Sequence, residues 1–268
     1  AESERSTEGL RGGAVPGTET VRMHRRPGAV QWLRSLLFNI QMYAAMPLLA
    51  VFFTPWAIVD RRGASAGIRT YCRYVRWSAA WMGGLRSEIR GTVPQGEVLI
   101  ASKHQSFFDI ILLCSVLPRP KFIMKQQLKW APILGWYALR IGCVPVDRGK
   151  RGQAIAKMLE DVQSGKAPPG QLIIYPQGTR VAPGAERPYK IGTAALYAQL
   201  GQPCVPAATN VGVFWPRRGI ARRQGLAVVS FLDPIMPGEA TEPFMTQLEQ
   251  MVETASDRLM VEAGFPRP

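Results

Sequence analysis

A histidine and an aspartate five residues apart, in Lys103-His104-Gln105-Ser106-Phe107-Phe108-Asp109, are the side chains best suited to chemistry. The chain holds only two histidines, His24 and His104, so a mechanism that needs an imidazole base has almost no choice of residue. The apolar run Val98-Leu99-Ile100-Ala101 precedes the motif and sets His104 at a strand end, where α/β folds place reactive groups. Asp109, one helical turn or a tight loop away, is close enough to hold one ring nitrogen, fix the tautomer and stabilise an imidazolium. The other nitrogen is then free to take a proton from an alcohol, which typically contributes about 10²–10⁴ in rate. Taken alone the spacing is a weak signal, and a single histidine at a strand end also suits a structural role.

Three further segments end apolar runs on polar or cationic residues. Tyr175-Pro176-Gln177-Gly178-Thr179-Arg180 follows Leu172-Ile173-Ile174 and combines a glycine, a hydroxyl and a guanidinium. Those groups make a compact anion site, with exposed amides and a fork that grips phosphate bidentately; a plain polar turn is the alternative. Gly142-Cys143-Val144-Pro145-Val146-Asp147-Arg148 brings a second cation, which either completes a phosphate clamp with Arg180 or pairs with Asp147. Val205-Pro206-Ala207-Ala208-Thr209 is apolar with a proline, which reads as an edge strand or a strand entrance.

Short apolar runs alternate with amphipathic segments from residue 86 onward, the signature of an α/β domain. Strands are expected near 86–91, 97–102, 121–125, 143–147, 171–176, 203–209 and 226–232, and helices near 107–117, 150–164, 190–200 and 241–262. The fold class is a mixed, mostly parallel sheet flanked by helices, preceded by an N-terminal membrane-binding helical hairpin. The division that follows is a tail over 1–28, disordered by its composition, a two-helix segment over 29–85 and a catalytic domain over 86–268. A start at Ala1 rather than Met fits a trimmed chain.

The hairpin rests on two stretches. Ser35 to Val59 carries no charge, and a bilayer crossing needs about 20 apolar residues. Asn39, Gln41, Pro47 and Pro55 weaken a simple straight span, and a run into Asp60-Arg61-Arg62 is no cleavage site for a signal peptide. Over 65–84, Ile68, Cys72, Val75, Ala79 and Met82 share one helical face, beside a stripe of Arg69, Arg73 and Arg76 and another of Tyr74, Trp77 and Trp81. Such stripes suit a helix lying among lipid headgroups. Positive residues flank the apolar stretch on both sides, so a hairpin dipping into one leaflet fits better than a span of defined orientation, although a span or two buried core helices are alternatives.

Lys and Arg number 33 against 19 Asp and Glu, a net charge of +14 that calls for a polyanionic neighbour: nucleic acid, an anionic membrane or phosphorylated substrates. No recognition-helix, zinc-finger or RNA-binding-sheet motif is present, so nucleic acid is not expected as a partner. The loop carrying Arg217, Arg218, Arg222 and Arg223 is expected to face anionic lipid or donor phosphates instead. Cys72, Cys114, Cys143 and Cys204 form no C-x-x-C pair and read as ordinary thiols, with no metal site.

Taken together, the four motifs between 103 and 209 resemble the glycerolipid acyltransferases, specifically the 1-acyl-glycerol-3-phosphate acyltransferases with a His-x-x-x-x-Asp motif. The resemblance implies that His104 and Asp109 form the catalytic dyad. It implies that Arg148, Gln177, Gly178, Thr179 and Arg180 hold the acceptor's phosphate, with Lys125 of Lys125-Gln126-Gln127-Leu128 as a third cation, and that Val205 and Pro206 help form the acyl-donor site. It further implies acyl transfer from acyl-CoA or acyl-carrier protein, as co-substrate without other cofactor, to the sn-2 hydroxyl of lysophosphatidic acid. The setting would be a cell inner membrane, with the catalytic domain on the cytoplasmic side and anionic lipid as a partner. An enzyme acting on another lysolipid, such as a lyso-ornithine lipid, or on glycerol phosphate, is the rival. One departure is plain: Gln177 stands where the family usually has Glu.

Overall fold

The computed structural model describes residues 28–146, 151–164 and 169–266. Two helices come first, α1 (Ala29–Val59) and α2 (Arg61–Gly83), joined by Asp60 alone. Asp60 makes so short a turn by capping α2, its carboxylate accepting from the Arg62 amide. Gly63 permits the close return, because a Cβ there would lie 2.5 Å from the Ala57 nitrogen. The helices run antiparallel, with Gln31 donating to the Gly83 carbonyl at one end and Tyr74 bonded to Gln41 further along.

Seven strands follow: β1 (Leu85–Arg90), β2 (Val98–Ser102), β3 (Pro120–Lys125), β4 (Val144–Val146), β5 (Gln171–Ile174), β6 (Cys204–Thr209) and β7 (Gly225–Phe231). Their order is β1-β7-β6-β2-β5-β3-β4, and only the β6–β7 pair is antiparallel. Consequently β2, β3, β4, β5 and β6 all present their C-terminal ends to one edge. The central strands are mostly apolar, with polar residues only at their ends, because both faces are covered. Ile100 and Ile173 pack under α2 and α3 (Phe107–Val116), while Leu99 and Leu172 pack under α5 (Arg151–Gln163), α6 (Gly192–Leu200) and α8 (Thr241–Glu262). The remaining helices, α4 (Leu134–Arg140) and a short α7 (Val211–Phe214), have no counterpart in the apolar periodicity.

Both helices of the hairpin depart from expectation in detail. α1 continues through Pro47 and Pro55 as one helix of 31 residues, the only one among those described long and apolar enough to cross a membrane. Only 17% of its most apolar stretch is buried, which removes the alternative of a core helix. On α2 the basic stripe is not free for headgroups: Arg69 donates to the Leu117 and Pro118 carbonyls, and Arg76 to Ser87 and Ser115. Arg73 alone of the three is exposed, beside Trp77 and Trp81, whose exposed rings stack at 5.7 Å. The four cysteines are free and buried, and burial pushes the Cys143 and Cys204 thiols up to about 12.

Candidate active site

Local helix chemistry brings His104 and Asp109 together. Ser106 is the N-cap of α3, accepting from the Phe108 amide, and Asp109 occupies the third helical position of a capping box. One Asp109 oxygen accepts the backbone N–H groups of Gln105 and Ser106, each at 2.9 Å. The other lies 2.9 Å from His104 Nδ1. Asp109 is wholly buried, and these contacts supply hydrogen-bond partners for both of its oxygens. A carboxylate facing Nδ1 places the imidazole proton there and leaves Nε2 as the basic nitrogen. The ring lies flat against Tyr175, centroids 3.9 Å apart and planes 16° apart. Burial, and then the Asp109 charge, push the Tyr175 phenol well above its ordinary value, so it stays protonated.

The loop carrying His104 is fastened on all sides. Lys103 turns away and pairs, buried, with Glu253 of α8, which also accepts from the Tyr189 hydroxyl. Gln105 accepts the Gly212 amide at 2.9 Å, tying the loop to the segment that follows β6. The His104 carbonyl accepts the Val181 amide at 2.8 Å, joining the loop to the turn after β5.

That turn closes through the Gly178 amide, which donates to the Tyr175 carbonyl at 2.8 Å. Gly178 sits at φ +71°, and a Cβ there would come within 2.5 Å of Lys190 Nζ. The left-handed backbone favours glycine here, while the end of the flexible Lys190 side chain lies close over it. Thr179 and Arg180 are half-buried beside it. Arg180 Nη1 donates to the Arg217 carbonyl at 3.3 Å, and Arg217 Nη1 returns a bond to the Arg180 carbonyl at 3.4 Å. Three cations thus rim the turn: Arg180 of the motif, Arg217 of the basic loop expected to meet lipid or donor phosphates, and Lys190, which the sequence did not single out. Only their places in the fold bring Lys190 and Arg217 there, 10 and 37 positions from Arg180 along the chain.

Other expected site residues land differently. Lys125 is exposed at the end of β3, on the same sheet edge as the turn, and Arg148 lies outside the described residues. Gln177 faces inward: its amide nitrogen donates to the Arg187 carbonyl at 3.1 Å, and its buried oxygen has no hydrogen-bond partner among the described residues. Through that bond it braces the 182–188 loop. Val205 packs in the core opposite Ile100, and Pro206 is buried beside Ala101 of β2, so neither lines an open site. Nor is β6 an edge strand. Pro206 is tolerated inside the sheet because β7 has ended beside it, and its carbonyl accepts from Leu232, just past that strand. Arg222, expected to face lipid or donor phosphates, is buried instead. It caps the loop carbonyls of Gly219 and Ala221, bonds Asn39 of α1 and lies 4.2 Å over the Trp215 ring. Burial lowers its pKa to about 10.

Comparison with known proteins turns this geometry into a family. A model of the family described as Acyltransferase matches residues 85–210. A 1-acyl-sn-glycerol-3-phosphate acyltransferase of Pseudomonas aeruginosa is 27% identical over 239 residues, spanning 87% of this chain and 92% of its own. The alpha form of that enzyme in Bos taurus is 30% identical over 200 residues, 73% of this chain and 69% of its own. The fold matches the crystal structure of the 1-acyl-sn-glycerophosphate (LPA) acyltransferase from Thermotoga maritima at a TM-score of 0.70 and 18% identity, covering 85% of this chain and 98% of that one. The protein is an O-acyltransferase. It belongs to the family of the 1-acyl-sn-glycerol-3-phosphate acyltransferases.

Proposed function

We propose that the protein moves a fatty acyl group from acyl-CoA or acyl-carrier protein to the sn-2 hydroxyl of lysophosphatidic acid, giving phosphatidic acid. The names of its relatives support the acceptor. The observation that carries the chemistry is the 2.9 Å contact between His104 Nδ1 and an Asp109 oxygen whose partner oxygen is held by two amides. His104 Nε2 takes the hydroxyl proton as that oxygen attacks the thioester carbonyl. Asp109 offsets the positive charge that develops on the ring. The tetrahedral intermediate then expels the thiolate, which recovers the proton from the imidazolium. No acyl-enzyme is required, and the acyl thioester is the only co-substrate.

Arg180 is the acceptor's main phosphate contact in this scheme, with Arg217 and Lys190 beside it and Lys125 drawn from the end of β3; the family resemblance adds Arg148. Gly178 and Thr179 offer the backbone and hydroxyl that a phosphate oxygen can approach. The exposed apolar surface of α1 supports a membrane setting, which we place at a cell inner membrane with the sheet domain on the cytoplasmic side, where acyl thioesters are made. The test is purified protein with lysophosphatidic acid and labelled acyl-CoA or acyl-carrier protein, scored for phosphatidic acid. Product with a different lysolipid and none with lysophosphatidic acid would replace the acceptor and leave the dyad chemistry standing.

A further inference from the structure

Between the end of β3 and the end of α4, the chain builds a rigid platform whose outer face has no protein partner among the described residues. Gln126–Trp130 form a 3-10 turn, and Ile133 sits at φ +64°, with the Leu134 amide bonded to the Pro132 carbonyl at 2.6 Å. A β-branched residue in that conformation is strained, and it persists only where its surroundings hold it. Gly135 supplies part of the hold, since a Cβ there would lie 2.3 Å from the Lys129 carbonyl. The inner face is bolted to the C-terminal half of α1. The Tyr137 hydroxyl meets Thr54 at 3.1 Å and the Ala50 carbonyl, and Arg140 donates to the carbonyls of Ala57 at 2.8 Å and Ile58 at 2.9 Å.

Leu128, Trp130, Leu134, Trp136 and Leu139 of this segment are all exposed, Trp130 to 79%. Burying a side chain of this size is worth about 1.5–3 kcal/mol, so five together in water make a conspicuous cost for a stiff element. The rim is basic. Lys129 lies over the Trp130 ring at 4.9 Å, and a groove of about 270 Å³ is lined by Arg61, Trp136, Leu139 and Arg140. Exposed Phe52, Ile58 and Val59 of α1 continue the apolar surface beside it.

We propose that residues 126–140 form a second membrane foot, entering the headgroup layer of an anionic leaflet alongside α1. Tryptophan rings with an apolar body and a polar edge suit that depth, and Lys129 beside Trp130 meets lipid phosphates. The foot follows directly on Lys125 at the end of β3, so it holds the sheet edge that carries His104 and Arg180 against the leaflet. That consequence, though not the foot itself, rests on the lipid acceptor proposed above.

All four native cysteines are buried, so one exposed cysteine takes a thiol-reactive fluorophore selectively. Trp130→Cys and Trp136→Cys, with Gln247→Cys on α8 as a control, would be labelled in the full chain and reconstituted into phosphatidylcholine vesicles with and without phosphatidylglycerol. Labels at 130 and 136 should shift to the blue, lose access to aqueous iodide and be quenched by doxyl-labelled lipid, while 247 keeps its aqueous behaviour. Phosphatidylglycerol should strengthen insertion by about fivefold for each cation that reaches the surface. Iodide access at 130 and 136 equal to that at 247 overturns the foot. Shielding without quenching by doxyl lipid overturns it too, since protein, such as a second copy of the chain, then covers the face. Insertion that ignores phosphatidylglycerol removes the anionic lipid from the proposal. None of these outcomes depends on which substrate is acylated.

Discussion

The loop after β2 and the turn after β5 lie side by side, joined by the Val181–His104 hydrogen bond, and they are built on opposite principles. Around His104 every anchor is saturated: the Asp109 carboxylate has three donors, Lys103 has its buried partner and Gln105 has the Gly212 amide. Around Gly178 the cations are half-buried or exposed, and Arg180 and Arg217 bond each other's carbonyls at long distances instead of any carboxylate. A group that must move a proton gains from a fixed geometry, since misplacement weakens the transfer. Cations that must receive an anion gain from being unpaired, because a carboxylate in place would have to be displaced first. The same residue type makes the point elsewhere. Arg69, Arg76 and Arg222 spend their donors on hydroxyls and carbonyls of the protein and act as bolts.

The contrast can be broken most directly at His104. Its replacement by alanine should lower turnover by about 10²–10⁴, while the melting temperature stays near that of the parent. A folded variant with most of its activity would remove the imidazole from the mechanism. Asp109→Asn should lose activity to a similar degree and also stability, because one amide oxygen cannot serve both the two backbone donors and the ring N–H. A loss of about 1–3 kcal/mol in denaturant titration is expected from the group left unpaired. Unchanged stability would mean that the carboxylate is not the anchor of the loop.

On the turn the expected effects are smaller and fall on binding. Arg180→Ala should raise the KM for the lysolipid about ten- to a hundred-fold and leave the KM for the thioester nearly unchanged. Arg180→Lys should restore only part, since an ammonium lacks the planar fork. A defect confined to the thioester would move the turn to the donor site. The smallest effect is expected at Gln177. Glutamate has the right shape, but an ionised carboxylate cannot donate to the Arg187 carbonyl as the amide does. Gln177→Glu should therefore lower the melting temperature modestly without changing either KM. A marked rise in the lysolipid KM would bring Gln177 back into the substrate site.

Much of the scaffold was legible because its determinants are local. The apolar runs marked all seven strands, and the periodicity of Met245, Leu248, Met251, Val252, Ala255 and Leu259 marked α8. The spacing of His104 and Asp109 was by itself a weak sign that the resemblance of four motifs turned into an expected dyad, and the structure adds the capping box that holds Asp109 in place. α4 was missed because five of its seven residues are apolar or aromatic without periodicity, and its shape comes from Gly135 against the Lys129 carbonyl and Tyr137 against α1. The arginine stripe of α2 misled because side chains long enough to reach lipid are also long enough to reach the carbonyls that end α3.

Sequence alone determined the alternation of elements and the apolar helix at the N-terminus, because both depend on periodicity, while the pairing of an imidazole with a carboxylate came from a weak spacing joined to the family resemblance. Tertiary structure decided which cations are open. Lys190 and Arg217 come to the turn from α6's approach and from the loop before β7, while Arg222, five residues beyond Arg217, is drawn under Trp215 and against α1. Charge and reach are the same for each arginine, so only the positions of distant carbonyls and rings separate a bolt from a binding group.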